Sequence, residues 1–125
     1  MKDFFFYIGF ATLATHEIDA VFKHEWRVLP LTSWLPDEYG FLVFLFFHIP
    51  LFAILVWLIA NLNQTIRYRS RLGFSIFLIV HGILHLLFAE HRLYEFTSAY
   101  SNILIFGGAL CGLAHIVLEY AETKN

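Results

Sequence analysis

Charged residues are scarce in this chain, and their scarcity excludes most soluble folds. Only 14% of the 125 residues are Asp, Glu, Lys or Arg, whereas soluble domains carry about 25%. Lys and Arg together number 8 against 10 Asp and Glu, so the chain lacks the basic surface that binds nucleic acid. Because 59% of the residues are hydrophobic, we expect a membrane protein whose partner is the lipid bilayer, with no nucleic-acid partner.

The chain has a single cysteine and no recognisable linker. The single cysteine, Cys111, excludes an intrachain disulfide. Without a repeat or a low-complexity tract, the chain is expected to form one membrane domain, residues 1–125. Four apolar runs are each long enough for a helix to cross a bilayer, which predicts an all-α, integral membrane four-helix bundle. The predicted helices cover about residues 3–22, 40–60, 72–89 and 101–121.

Arginines predict the orientation of this bundle. Arg67, Arg69 and Arg71 lie between the second and third apolar runs, in a segment with no acidic residue. By the positive-inside rule such a segment stays in the cytoplasm. Four helices then place both termini in the cytoplasm, together with Lys2 and Lys124. We therefore expect a multi-pass protein of the cell inner membrane.

Histidine is the clearest excess, with 7 residues, and His81 and His85 lie in the middle of the third apolar run. A spacing of four places both rings on one face of a helix, one turn apart. This is how a helix offers two nitrogen ligands to one metal ion. Titratable side chains inside a bilayer are costly and mark functional sites. The pair therefore predicts a metal or haem site.

Six candidate ligands come from all four predicted helices and fall at a similar depth. With a rise of about 1.5 Å per residue, they lie in a slab about two helical turns thick. They are His16, His48, His81, His85, Cys111 and His115. Glu17 and Asp19 lie at the same level of the first helix. Small and polar residues follow one stripe of the first and fourth helices, so we expect the rings to converge inside the outer half of the bundle.

Imidazoles beside a carboxylate suit zinc or iron. Glu17 is the expected general base or a further ligand. Such a centre supports a metal-dependent hydrolase or oxidoreductase that acts on a small or lipid-derived substrate. The predicted metal ligands are His16, Asp19, His48, His81, His85 and His115.

Three other functions stay open. A haem held by histidines of two helices would make the protein a membrane electron carrier with a Soret band. A cation- or proton-relay subunit would need a polar path that reaches Glu119. A purely structural protein would satisfy its imidazoles with backbone carbonyl groups and would pair Asp19 with Lys23, four residues further along the helix.

The sequence also leaves several polar and small residues without a definite role. Cys111 is expected to be a packing residue. Gly108 and Gly112 form a GxxxG pair, which serves either packing within the bundle or a homo-oligomer. Charged residues at the outer ends of the first and third helices are interpreted mostly as a solvated interfacial cluster, and alternatively as groups that support or gate the site. They include His24, Glu25, Glu90 and His91.

Two signatures resemble those of small, uncharacterised bacterial membrane proteins. They are THEIDAVFKHEWRVLP, residues 15–30, and FHIP, residues 47–50. Those proteins are loosely similar to the family named for its HXXEE motif, whose members are thought to bind metal in membranes. At the motif this chain has His16, Glu17, Ile18 and Asp19. The resemblance implies a membrane location and metal binding, and it implies no activity.

Overall fold

Four helices make up most of the protein. The structure, a computed structural model, describes the backbone of residues 1–124 and the side chains of all of these except Thr123. Within this range the predicted all-helical class is confirmed. The helices are α1 (Lys2–Phe22), α2 (Asp37–Ile59), α3 (Gln64–Phe88) and α4 (Ala99–Thr123), and a 3₁₀ turn, Glu25–Arg27, lies between α1 and α2.

Helix α3 begins before its apolar run, at Gln64 rather than at about residue 72. The side-chain oxygen of Asn63 accepts hydrogen bonds from the backbone N–H groups of Thr65 and Ile66, at 3.0 and 3.2 Å. Such an N-cap satisfies donors that the first helical turn leaves unpaired. The three arginines, which we expected in a loop, therefore lie on the first turns of α3.

Helix α4 packs against both α1 and α3, and its glycines allow the close approach. A methyl group added at Gly108 would lie 3.1 Å from Oγ1 of Thr12 in α1. One added at Gly112 would lie 2.5 Å from the carbonyl oxygen of Ser75 in α3. The GxxxG pair thus serves helix packing within the bundle, as small residues commonly do in membranes.

Helix α2 stands apart from this three-helix core. It packs against the 3₁₀ turn and α3, whereas no Cα atom of α2 comes within 8 Å of one in α1 or α4 in the described chain. Its buried residues are Gly40, Phe44 and Ile59, which lie towards its two ends. In its middle, α2 meets α1 through side chains: His48 lies 2.8 Å from Glu17, and the ring centroids of Phe52 and Phe10 are 6.5 Å apart.

The exterior of the bundle is suited to a membrane. Helices α2, α3 and α4 are long and apolar enough to cross one. Helix α1 is not among them, and it carries Glu17 and Asp19 in its second half. Large apolar side chains such as Phe46, Trp57 and Leu110 are 65–67% exposed. Apolar surface of this extent indicates contact with lipid.

An apolar layer divides the interior of the bundle into two polar regions. The region next to the 3₁₀ turn contains His16, His81 and His85, and the region next to Lys2 contains His115. The layer consists of Phe6, Leu13, Ile59, Phe74 and Leu78.

Candidate metal centre

Four side chains from three segments meet next to the 3₁₀ turn: His16 of α1, Glu25 of the turn, and His81 and His85 of α3. One ligand atom from each, a ring nitrogen or a carboxylate oxygen, lies within 4.8 Å of all the others. Three of the four residues are buried, and His81 is half-buried. Of the ligands predicted from the sequence, the three histidines are brought together here.

Helix α3 supplies two ligands because its histidines are one turn apart. Nε2 of His81 and Nε2 of His85 are separated by 3.2 Å, so both nitrogens face the same space. Gly82, between them, lets α4 approach closely, since a methyl group there would lie 3.1 Å from Cβ of Ala109. The tight contact between the two backbones fixes the place from which both rings project.

His16 reaches the same space from α1, and 0% of its surface is exposed. Its ring centroid lies 4.8 Å from that of His81 and 4.9 Å from that of His85, edge-on in both cases. Neither ring nitrogen has a hydrogen-bond partner among the described residues. A buried polar group without a partner costs on the order of 1–3 kcal/mol. Packing alone therefore does not explain a histidine at this position.

Glu25 enters the cluster through a sharp reversal after α1. His24 has a left-handed backbone (φ 49°, ψ 44°), which is uncommon for a residue other than glycine. The reversal buries Glu25, and its Oε1 lies 3.5 Å from Nε2 of His85. Burial, together with the negative charges of Glu17 and Asp19, raises the pKa of Glu25 to about 8. A cation beside the carboxylate would reverse this effect.

The 3₁₀ turn that carries Glu25 is firmly held. Nε1 of Trp26 donates to Oδ1 of Asp37 at 2.9 Å. Arg27 binds both oxygens of the same carboxylate, each at 2.7 Å. The hydroxyl of Thr32 donates to the carbonyl oxygen of Trp26 at 2.7 Å. Glu25 therefore projects from a fixed support, as a ligand needs to.

The spacing of the ligand atoms suits a tetrahedral ion. Zinc binds histidine nitrogens at about 2.0–2.1 Å, so neighbouring ligands of a regular tetrahedron lie roughly 3.3–3.4 Å apart. The nitrogens of His81 and His85 are 3.2 Å apart, and His85 and Glu25 are 3.5 Å apart. The other distances between ligand atoms reach up to 4.8 Å. Small movements of the side chains would shorten them to tetrahedral spacing.

Two aromatic residues orient and cover the histidines. Nδ1 of His85 lies 3.1 Å from the hydroxyl oxygen of Tyr94, which directs Nε2 towards the centre. The ring centroid of Phe96 lies 5.3 Å from that of His16 and 4.9 Å from that of His85. A cavity of about 50 Å³ adjoins the cluster, lined in part by Glu25 and His81. It has room for a few water molecules.

Glu17 and His48 form a separate pair on the side of α1 that faces α2. Nε2 of His48 lies 2.8 Å from Oε2 of Glu17. Nδ1 of His48 donates to the carbonyl oxygen of Phe44 at 2.6 Å. The expected base and one expected ligand thus contact each other, outside the group of four.

Asp19 and His115, two further expected ligands, also lie outside the group of four. Oδ2 of Asp19 accepts a hydrogen bond from the hydroxyl of Ser101 at 2.6 Å, which joins α1 to α4. His115 lies beyond the apolar layer, where its Nδ1 is 2.8 Å from Oγ of Ser75. Its Nε2 is 3.8 Å from Glu119.

Of the residues whose role the sequence left open, one belongs to the group of four and the others lie outside it. Glu25 belongs to the group of four. Nδ1 of His24 instead lies 3.2 Å from Glu95, in keeping with an interfacial ion pair. Residues outside the group are His24, Glu90, His91, Cys111 and Glu119.

Glu25 and Tyr94 are the members of the site that sequence reasoning did not select. Glu25 follows the end of an apolar run in a charged segment, which is typical of a solvated residue. Its one signal is the adjacent Trp26, an aromatic residue able to anchor a loop. No spacing rule predicts the left-handed His24 that turns the chain inward, and no pattern singles out Tyr94.

Comparison with known proteins identifies a family and no activity. The model described as "Family of unknown function (DUF6713)" matches residues 2–122. No curated protein and no solved structure matches the chain. No match to the HXXEE family is found, so the metal binding implied by that resemblance stays a prediction.

Proposed function

We propose that this chain, which belongs to the family of unknown function DUF6713, is an integral membrane protein that binds a transition-metal ion. The proposed ligands are His16, His81, His85 and Glu25. The support is chemical, because three imidazoles and a carboxylate within 4.8 Å of one another form a donor set typical of zinc and iron.

The single observation that carries the proposal is that His16 is buried without a hydrogen-bond partner. Its ring is 0% exposed, both nitrogens lack a partner, and two imidazoles and a carboxylate surround it. Burial of unpaired polar atoms is unfavourable, and leucine would fill the same space without that cost. A metal ion bound to one nitrogen would compensate for the lost hydration.

Zinc is the ion that the spacing favours. Four ligands near tetrahedral separation complete a zinc shell, whereas iron requires further positions that water in the adjoining cavity would supply. The three histidines would hold the ion, with Glu25 as a fourth ligand or as the base that takes a proton from water, and the ion would supply Lewis-acid activation of that water. This arrangement supports hydrolysis of a small or lipid-derived substrate, or oxidoreductase chemistry with iron.

The proposed setting is the inner membrane, with all four helices spanning it. By the positive-inside rule, the arginines at the start of α3 favour a cytoplasmic location for this end of the bundle, and with it for both termini. The metal centre then lies in the outer half, beneath the 3₁₀ turn. Because Gly108 and Gly112 are used within the bundle, a homo-oligomer would have to form through another surface.

A haem is less well supported than a single ion. The cavity beside the histidines measures about 50 Å³, whereas pockets for larger ligands measure about 300–1,000 Å³. The ring of His16 also lies 4.8–4.9 Å from those of His81 and His85. A macrocycle does not fit between rings at this separation.

A cation or proton relay is also less well supported. Such a function requires a continuous path of polar groups through the bundle, from the cluster to Glu119. Leu13 and Leu78, which are 6% and 2% exposed, lie between the cluster and His115 and interrupt that route. Water does not readily enter a layer of packed apolar side chains.

Elemental analysis and a visible spectrum of the same purified sample test the proposal. We expect about one zinc or iron ion per chain and no Soret band. His16→Ala, His81→Ala and His85→Ala should each remove most of the metal. His115→Ala, at a buried histidine outside the centre, and His91→Ala, at an exposed one, should retain it.

Substitution with cobalt gives an independent test of the geometry. Cobalt in a tetrahedral site absorbs strongly in the visible range, and the wild-type protein should show these bands while His16→Ala should not. A Soret band in the purified protein, or metal content that His16→Ala leaves unchanged, would contradict the proposed centre.

A further inference from the structure

The cavity beside the metal centre has a polar part that belongs to the centre itself. It is lined by Glu25, His81 and His85, three of the four proposed ligands, and by Tyr94, whose hydroxyl oxygen lies 3.1 Å from Nδ1 of His85. His16 is fully buried and is not among the described residues that line the cavity. An ion held by the group of four would therefore lie between His16 and the cavity, and a further ligand would reach it from the cavity.

The rest of the lining is apolar and leads to the surface of α3. It includes Val28 and Phe88, and among the described lining residues only Leu84 is largely exposed, at 41%. Val80 and Leu87, which lie one helical turn before and after Leu84 on the same face, are 45% and 71% exposed. An exposed apolar stripe of a membrane helix contacts lipid. The cavity therefore opens beside Leu84, towards the lipid.

The volume of the cavity limits the width of a ligand. The cavity measures about 50 Å³, and one water molecule requires about 10–15 Å³, so it accommodates a group of roughly four non-hydrogen atoms. A straight chain satisfies this limit, because only its first atoms lie in the cavity and the remainder extends past Leu84 into the lipid. A ring or a branched carbon next to the binding atom exceeds it.

We propose that this cavity is the entry to the metal centre, and that the centre takes from the lipid an unbranched molecule whose uncharged head group binds the ion. The inference rests on the proposed metal centre. The head group is uncharged because a charge is costly in the hydrocarbon region that the molecule crosses. Zinc accepts five ligands as well as four, so there is room for this ligand in the coordination shell. A straight alkyl chain that ends in a thiol or hydroxyl group has both properties.

Cobalt-substituted protein in lipid nanodiscs, titrated with hexane-1-thiol and with cyclohexanethiol, tests the proposal. The two thiols have the same donor atom and the same number of carbons, and they differ in width. Sulfur binds the ion as the thiolate and its proton passes to the buffer, which adds an intense charge-transfer band in the near ultraviolet. We expect hexane-1-thiol to produce this band at about tenfold lower concentration, since one methylene that does not fit a pocket is worth about 10- to 200-fold.

Leu84 offers two variants and Leu87 the matched controls. Leu84→Ala widens the opening and should reduce the preference for hexane-1-thiol to less than about threefold. Leu84→Trp narrows the opening, so about tenfold more hexane-1-thiol should be required, while the visible cobalt bands stay those of the wild type. Leu87→Ala and Leu87→Trp change an exposed residue that is not among the described lining residues, and both should bind the two thiols as the wild type does.

Azide tests the route of entry. It is narrow enough for the cavity, but it is an anion at neutral pH and the hydrocarbon region excludes it. We expect azide to leave the visible cobalt bands unchanged at concentrations at which hexane-1-thiol binds. A change in these bands at such concentrations would show entry from water and would overturn the route through lipid.

Failure of this inference is distinguishable from failure of the metal centre. Absence of visible cobalt bands before any thiol is added would contradict the centre and the entry together. Cobalt bands that neither thiol alters would contradict the entry and leave the centre intact. Equal binding of the two thiols by the wild type, or equal effects of Leu84→Trp and Leu87→Trp, would do the same.

Discussion

At the scale of single residues, the three histidines of the cluster have unequal surroundings. His85 has Tyr94 on one nitrogen and His81 on the other, so it is satisfied without an ion. His16 is more deeply buried and has neither kind of partner. Its polarity therefore reduces the stability of the fold unless something binds it, and this difference gives a direct test.

His16→Leu should stabilise the metal-free protein and abolish metal binding. The substitution removes buried polar atoms without partners, which is worth about 1–3 kcal/mol, and leucine is close to histidine in volume. Unfolding of the chelator-treated protein in detergent, followed by circular dichroism, measures the change. Addition of zinc should raise the unfolding midpoint of the wild type and leave that of the variant unchanged.

His115→Leu is the matched control for this prediction, because His115 is also buried but bonds to Ser75 at 2.8 Å. Its replacement leaves the Ser75 hydroxyl unpaired and should destabilise the protein by about 1–3 kcal/mol. Stabilisation by both substitutions would show a general preference for leucine in the core, and it would remove the argument drawn from His16.

Glu25 should make zinc binding depend on pH. Its pKa is raised to about 8, so below that pH the metal-free protein holds a proton that binding must release. The affinity of the wild type should therefore rise relative to that of Glu25→Gln by about tenfold per pH unit until about pH 8, and then level off. Calorimetry in buffers of different ionisation enthalpy counts the proton, and equal proton release in both proteins would refute the role of Glu25.

The same shift affects the stability of the metal-free protein. The ordinary pKa of Glu25 is 4.5, so the folded state holds the proton more tightly than the unfolded state does. The contribution of Glu25 is present in full below pH 4.5 and is lost as the pH rises through about 8. Bound metal should reduce this loss, because it stabilises the carboxylate.

At the scale of the helices, α4 is the helix on which both ligand-bearing helices, α1 and α3, pack. Gly82 and Gly112 allow α3 to approach α4, and Gly108 allows α1 to do so. Since α1 and α3 both pack on α4, His16 is brought to the same side as His81 and His85. The site therefore depends on small residues that are not themselves ligands.

Gly112→Ala should destabilise the bundle, whereas Gly107→Ala should not. The added methyl group at Gly112 would lie 2.5 Å from a backbone oxygen of Ser75, and overpacking of this kind costs about 1–3 kcal/mol. At Gly107 nothing lies within 4 Å, so alanine should stabilise the helix by up to about 1 kcal/mol. Equilibrium unfolding in detergent measures both, and equal effects would contradict the close α3–α4 contact.

The helices also show how far the sequence specifies elements. Four apolar runs predicted four helices, because a buried or lipid-facing helix must be apolar over its length. The start of α3 was placed too late, since apolar character does not mark a helix that continues into polar residues. Asn63 is the local signal for that start, and its capping role depends on side-chain geometry.

At the scale of the whole molecule, the orientation in the membrane can be tested with single cysteines. In a Cys111→Ser background, Ser33→Cys lies in the segment between α1 and α2, and Leu62→Cys replaces a residue that is 98% exposed between α2 and α3. The positive-inside rule predicts that a membrane-impermeant maleimide labels Ser33→Cys in intact bacterial cells. Leu62→Cys should be labelled only after permeabilisation, and the reverse pattern would invert the proposed topology.

The position of α2 distinguishes the whole molecule from a regular four-helix bundle. Depth along the helices placed His48 level with the other histidines, but α2 lies on the side of α1 that carries Glu17, so His48 contacts Glu17 and not the cluster. His115 was placed at a similar depth, yet it lies beyond Leu13 and Leu78 with Ser75. Depth alone does not determine which side chains meet, because each side chain must also lie on the face of its helix that is turned towards the others.

The sequence by itself determined the class of this protein, the number of its helices and the grouping of His81 with His85. Each of these follows from composition or from the period of a single helix, which are local properties of the chain. Only the tertiary structure decided that His16 joins that pair, that Glu25 completes the group and that His48 does not. The reason is physical: the contacts of α1 and α3 with α4, the left-handed turn at His24 and the position of α2 beside Glu17 arise from packing between segments that are distant in sequence.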